Sequence, residues 1–177
     1  MRRSTSNTFR VLIILAFASL IIYKAYATSS GSIYGRTSTT SSGCGSCHGS
    51  NSNSETSVSI VSGSGSFVVA PNSVTTFTIT VTNSNEVAAG IDIAVKTDQT
   101  GDTDIGTLAP VSGGGLHVDG SELTHISPRT LSGGTCTFQF KWTAPSTPGT
   151  YYMRAIANAV NLNGVADAGD HWNWMPI

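Results

Sequence analysis

Charge is scarce in this chain. Asp, Glu, Lys and Arg make up 11% of its 177 residues, under half the roughly 25% usual for soluble domains. The few basic side chains form no patch beyond the N-terminus, which makes nucleic acid and anionic membrane surfaces poor partners. Lys and Glu are rare where Gly, Ser, Thr, Asn and Val are common, and no stretch past residue 22 carries a 3.6-residue period. A helical architecture is thereby excluded. The longest apolar run, residues 11–22, has twelve positions where a membrane span needs about 20. Cysteine stops at three residues, so a second cysteine pair for a structural zinc site is missing. No Ser-His-Asp or paired-carboxylate pattern is present, which leaves hydrolase chemistry without support. No histidine follows Cys136 at short range, which argues against blue copper. Internal repeats are also absent.

At the N-terminus, Arg2, Arg3 and Arg10 precede the apolar run, and Ala25-Tyr26-Ala27 follows with the small-x-small pattern read by signal peptidase. Residues 1–27 are expected to be an export signal, with an uncleaved anchor flanked by Lys24 as the alternative. No cysteine stands at the cleavage position, so a lipoprotein is not expected. Removal of residues 1–27 leaves 150 residues, enough for one domain with one core. Five basic side chains then face ten acidic ones, a net charge near −5.

Residues 28–56 are nearly all Ser, Thr, Gly or Asn. Such a tract cannot bury enough surface to offset its ordering entropy. It is read as a flexible segment that needs something else to order it. From residue 57 the pattern turns to period two, with strands expected at 57–61, 66–70, 74–83, 88–97, 115–118, 122–126, 136–142 and 150–160. Short strands with frequent turn signals predict an all-β, immunoglobulin-like antiparallel β-sandwich over residues 57–177.

Inside the polar tract lies Gly43-Cys44-Gly45-Ser46-Cys47-His48-Gly49. Cys44-x-x-Cys47-His48 is the spacing of c-type haem attachment. Two thiols add across porphyrin vinyl groups, and the adjacent histidine ligates the iron from beneath the ring. A Cys44–Cys47 disulfide would leave the histidine unexplained, and a thioredoxin-like pair needs a βαβ context that is missing. For the second axial ligand, His117, His125, His171, Met153 and Met175 are candidates. His171 and Met175 share the aromatic stretch HWNWM, which could wall an apolar cofactor. Cys136 opens a strand and is read as a small apolar residue, with an intermolecular disulfide as the alternative. Asp167 and Asp170 lie in VADAGDHW, which does not fit EF-hand spacing and reads as a plain turn.

The stretch FKWTAPSTPGTYYMRAIANAVNLNGVADAGD (140–170) resembles the reeler-like domain of bacterial exported proteins of the choice-of-anchor V type. In such proteins C-x-x-C-H often stands early in the exported chain after a Gly-rich approach, like GRTSTTSSGCGSCHG here. A histidine commonly precedes the W-T-A-P strand, and His125 occupies that place. The Tyr-x-Pro-Gly and Gly-Phe that usually flank the first long strand are replaced by Val69-Ala70-Pro71-Asn72 and Gly90-Ile91. The resemblance implies an immunoglobulin-like sandwich and favours His125 as distal ligand.

These observations together lead to the expectation of an exported monohaem c-type cytochrome, an electron carrier rather than an enzyme, located in the periplasm, at the cell surface or outside the cell. One covalent haem c is expected, on Cys44 and Cys47, with His48 proximal and His125 distal. Its partners would be redox proteins or neighbouring copies of itself in a homo-oligomer. Membrane contact is expected only if residues 11–22 are retained. The alternatives are a surface adhesion module, a self-assembling filament module with haem in a structural or wiring role, and a haem enzyme with a vacant sixth site.

Overall fold

The computed structural model describes residues 29–177, so the expected export signal lies outside the described residues. Ten strands follow a single 3-10 turn at Gly43–Ser46: β1 Ser57–Ser62, β2 Val74–Thr82, β3 Ala88–Lys96, β4 Thr107–Pro110, β5 Leu116–Asp119, β6 Glu122–His125, β7 Arg129–Thr130, β8 Thr135–Thr143, β9 Tyr152–Val160 and β10 His171–Trp174. All pairings are antiparallel. One sheet runs β1-β2-β8-β4, and the second runs β10-β9-β3-β6-β5 with β7 also on β3.

The period-two pattern has the expected cause. On β2, Phe77, Ile79 and Val81 turn inward, as do Cys136, Phe138, Phe140 and Trp142 on β8. Facing them are Ala89, Ile91, Ile93 and Val95 of β3 and the alanines at 155, 157 and 159 of β9. Phe77 and Phe140 stack with ring centres 5.6 Å apart. Each buried Phe or Ile in this core contributes about 1.5–3 kcal/mol. Two antiparallel sheets sharing one core make the molecule a β-sandwich.

Five segments differ from the sequence reading. Residues 66–70 are not a strand. Ser62, Ser64 and Ser66 turn their hydroxyls onto the amides of Ser64, Ser66 and Val68, which supplies the backbone with local partners in place of a ladder. Phe67 and Val68 stay 62% and 89% exposed. β4, β7 and β10 fall outside the expected strands: β4 has one buried apolar residue, β7 is only two residues long, and β10 presents alternating aromatics. β3 was read as alternating, yet every one of its nine residues is buried.

The reason for the last difference is the polar tract, which forms a third layer over the outer face of the second sheet. That face carries the buried carboxylates Asp92 and Glu122, both 0% exposed. Glu122 Oε2 accepts from the Gly35 amide at 2.6 Å, Glu122 Oε1 from the Thr37 hydroxyl at 2.5 Å, and Asp92 Oδ2 from the Arg36 amide at 3.2 Å. Lys96 balances the cluster through Asp104 at 2.6 Å and Glu122 at 3.3 Å. A segment with almost no apolar surface is thus ordered by charge-assisted hydrogen bonds to buried acids. Its end is tied to β10: the Asn53 amide donates to the Trp172 carbonyl at 2.7 Å, the Thr56 hydroxyl to the His171 carbonyl at 2.7 Å, and Asn173 Nδ2 to the Thr56 carbonyl at 2.9 Å. Among the described residues no helix is long and apolar enough to cross a membrane.

Candidate functional site

The site begins with a gap in a ladder. On one side of β3, β6 pairs at Asp92 and Ile93 while β7 pairs at Ala88 and Ala89, and the intervening chain bulges away. Gly90 and Ile91 are left without a strand partner on that side. The imidazole of His125 fills the opening. Its Nδ1 lies 3.0 Å from the Ile91 amide nitrogen and 3.2 Å from the Ile91 carbonyl oxygen. A ring nitrogen makes one of these bonds in each tautomer. When Nδ1 carries the proton it donates to the carbonyl, and Nε2 keeps a free electron pair. Burial holds His125 below the usual histidine range, which the bond to Ile91 opposes and His117 reinforces. The ring fits because residue 90 is glycine: a Cβ there would stand 2.7 Å from Nε2 and 2.8 Å from Nδ1.

The C-x-x-C-H turn is seated on β9 and β10. Gly43 has φ +58, and a Cβ at that position would meet Ile156 Cδ1 at 2.6 Å, Trp172 Cζ3 at 2.8 Å and Trp174 Cζ2 at 2.9 Å. Trp172 and Trp174 pack edge to face, and Trp172 Nε1 donates to the Gly49 carbonyl at 2.8 Å. The aromatics of HWNWM therefore support the turn from below; neither of these tryptophans walls the cavity above it. His48 is fixed from the other side, with Nδ1 2.7 Å from Asp170 Oδ2. Asp170 is 4% exposed, and its Oδ1 accepts from the Asn161 amide at 3.3 Å. Sequence reading had placed Asp170 in a plain turn.

Between these parts lies a cavity of about 450 Å³, lined by Cys44, Cys47, His48 and His125. This volume is in the range of small-molecule and cofactor sites. Ile33, Ile156 and Val160 supply apolar walls, the Ile91 backbone closes the floor beside His125, and Leu162 and Val165 stand at its edge 61% and 44% exposed. Leu162 holds φ +59, a costly conformation for leucine. Arg36 brings a cation to the lining; its Nη1 makes long contacts to Ser46 Oγ at 3.3 Å and the Gly43 carbonyl at 3.5 Å. Asn158, also in the lining, has its Oδ1 buried with no partner among the described residues.

The other sequence candidates lie elsewhere. His117 is on β5, with Nε2 3.3 Å from the Thr124 hydroxyl. His171 faces Glu55 and Glu86 at 3.0 and 3.5 Å. Met153 and Met175 line a separate apolar cleft of about 760 Å³ between the sheets. Those four side chains do not reach the cavity that holds His48. Cys136 is 6% exposed within the core, which corrects the alternative of an intermolecular disulfide and fits the apolar reading. Sequence reasoning missed Asp170, Gly90 and Arg36. The only advance signal was Gly90 standing where the resembled family has a Gly-Phe pair.

All three thiols are free. Burial pushes Cys44 up to about 12, with Asp92 adding to the rise, and pushes Cys136 up to about 11. The reactive thiolate is therefore suppressed at both. In folded protein lacking any cofactor, iodoacetamide at pH 8 should label the exposed Cys47 fastest, the half-buried Cys44 more slowly, and the core Cys136 only once denaturant is added. Peptide mass spectrometry reads the order, and equal rates at Cys44 and Cys47 would refute the suppressed thiolate at Cys44.

No protein-family model matches the chain, and no curated protein does. Among solved structures, the chain is similar to the human F-spondin reeler domain at 14% identity, over 71% of this chain and 92% of that one, with a TM-score of 0.43. A structure described as the Reelin-N domain of F-spondin matches at 12% identity, covering 72% and 90%, with a TM-score of 0.41. Spo0M, a sporulation control protein from Bacillus subtilis, matches at 13% identity over 68% of this chain and 48% of its own, with a TM-score of 0.34. Likeness at this level leaves function to the site itself.

Proposed function

We propose that the chain is an exported monohaem c-type cytochrome whose haem sits outside the second sheet, beneath the polar tract. The observation that carries this reading is the cavity: Cys44, Cys47 and His48 from one pentapeptide and His125 from β6 line the same space, although 77 residues separate the two histidines. The donor set suits the group. Two thiols are available for thioether bonds, two imidazoles for axial ligation, and apolar walls for the macrocycle. Haem held there supplies one-electron transfer between ferric and ferrous iron.

The protein's own residues supply the rest. Cys44 and Cys47 hold the group covalently, so it stays in place in either charge state. His48 offers Nε2, because its Nδ1 proton is engaged by the Asp170 carboxylate. His125 offers Nε2 when its Nδ1 donates to Ile91, and burial keeps the ring neutral as ligation requires. Arg36 would offer its guanidinium to a carboxylate of the group, and Leu162 and Val165 would exchange exposure to water for contact with an apolar edge. Partners would be redox proteins or further copies of this chain, reached after export.

The deciding experiment is expression with a cytochrome c maturation system, followed by denaturation in acidic acetone. Haem should remain with the polypeptide and give a c-type pyridine haemochrome, and Cys44→Ser with Cys47→Ser should release it. Haem that extracts from the wild-type chain, or none bound at all, overturns the reading.

A further inference from the structure

A buried carboxylate touching a candidate ligand has two explanations: it staples a loop, or it acts on the ligand. Asp170 lies in the β9–β10 connection, 122 residues from His48, and is 4% exposed. Its two oxygens have separate tasks. Oδ1 accepts from the Asn161 amide and closes the connection on itself. Oδ2 is left to His48 Nδ1 alone, at 2.7 Å, a distance typical of charge-assisted bonds. An ionised carboxylate can only accept, so the contact places a proton on Nδ1 and, in the neutral ring, leaves the Nε2 electron pair free. The neighbouring Asp167 makes no hydrogen bond to His48: it is not buried, and both its oxygens bind the Gly169 amide and Asn163 side chain within its own loop.

We propose that Asp170 is the positioning residue of the site: it fixes His48 in the ligating tautomer before any metal arrives and lowers the reduction potential of the bound haem through the imidazole. The inference rests on the haem reading above. A ligating histidine whose other nitrogen donates to a carboxylate is oriented by it and made more basic. Greater basicity and a nearby negative charge both favour the more positive ferric iron. In this low-dielectric setting that preference is stronger than an exposed carboxylate could supply. The same contact explains why the β9–β10 connection, polar and rich in turn residues, is folded down onto the C-x-x-C-H turn.

The test uses the holoprotein and the cofactor-free chain. Asp170→Asn keeps the shape and removes the charge, so the reduction potential should rise with haem still covalently attached. Asp170→Glu should restore part of the shift, and Asp167→Asn should leave the potential as in the wild type. An Asp170→Asn holoprotein with an unchanged potential overturns the inference while leaving the haem reading intact. If that variant does not fold, ¹⁵N imidazole spectra of the wild-type cofactor-free chain decide: His48 protonated on Nδ1 supports the inference, and protonation on Nε2 overturns it. A wild-type chain that takes up no covalent haem refutes the functional reading instead, and the tautomer remains a separate result.

Discussion

In a Gly90→Ala chain, His125 will leave its place against Ile91. The added methyl would stand within 3 Å of both ring nitrogens, and the ring has no flexible end to yield. Its edge is held by the Ile91 backbone, and its own carbonyl lies against Gly31, whose φ of +69 brings the polar tract to the end of β6. Overpacking of this kind costs about 1–3 kcal/mol, and stranding the buried Ile91 group adds about 1–3 kcal/mol. A loss of about 2–6 kcal/mol in urea unfolding is expected, and under the proposed haem reading a six-coordinate low-spin spectrum would become ligand-exchangeable. Truncating the ring relieves the clash, so Gly90→Ala should cost much less in a His125→Ala background. Equal costs in the two backgrounds would show that Gly90 does not exist to admit the imidazole.

Glu122→Ala should release the polar tract. Glu122 is fully buried, accepts from Gly35 and Thr37, and shares Lys96 with Asp104. Bonds to Asp104 and Glu122 hold Lys96 above its usual range although burial works the other way. Removing one partner of a buried charged group costs about 3–5 kcal/mol, and the low end applies because Asp104 still meets the ammonium. The same change lightens Asp92, whose carboxyl is pushed well above the usual range by burial and then by Glu122. Hydrogen exchange at the amides of Gly35 and Arg36 should quicken far more than exchange in β2 or β8. Glu122→Gln, which keeps the acceptor oxygen, should show a smaller effect. Destabilisation that leaves those two amides protected would refute Glu122 as the anchor.

What could be read in advance follows from periodicity. β2 and β8 alternate because one face is wet and the other packed, so Phe77, Ile79, Phe138 and Phe140 announce their own direction. β3 misleads for the opposite reason: Asp92 and Lys96 look like a wet face, and become a buried one only when residues 34–37 cover them. No local pattern reports a cover supplied from 56 residues away. The site divides likewise. Cys44, Cys47 and His48 are adjacent in sequence, so their spacing is visible. Asp170 and Gly90 gain their meaning from chain segments brought together by the sheet, and by themselves they read as turn and strand residues. The expectation for residues 66–70 failed at a finer scale, since hydroxyls bonding neighbouring amides undo a strand pattern that apolar alternation alone would allow.

The ties between residues 53–56 and β10 also bear on how the protein behaves in a crowd of its own kind. A terminal strand normally displays a row of free amides and carbonyls on which another chain can add. Here the Trp172 carbonyl is already taken by the Asn53 amide, and Thr56 bonds the His171 carbonyl and the Asn173 side chain, so that border is partly covered by the same segment that bears the cysteines. Growth into a continuous intermolecular sheet is hindered there, and copies brought together along it would meet more readily through faces and loops, where side-chain chemistry sets the specificity.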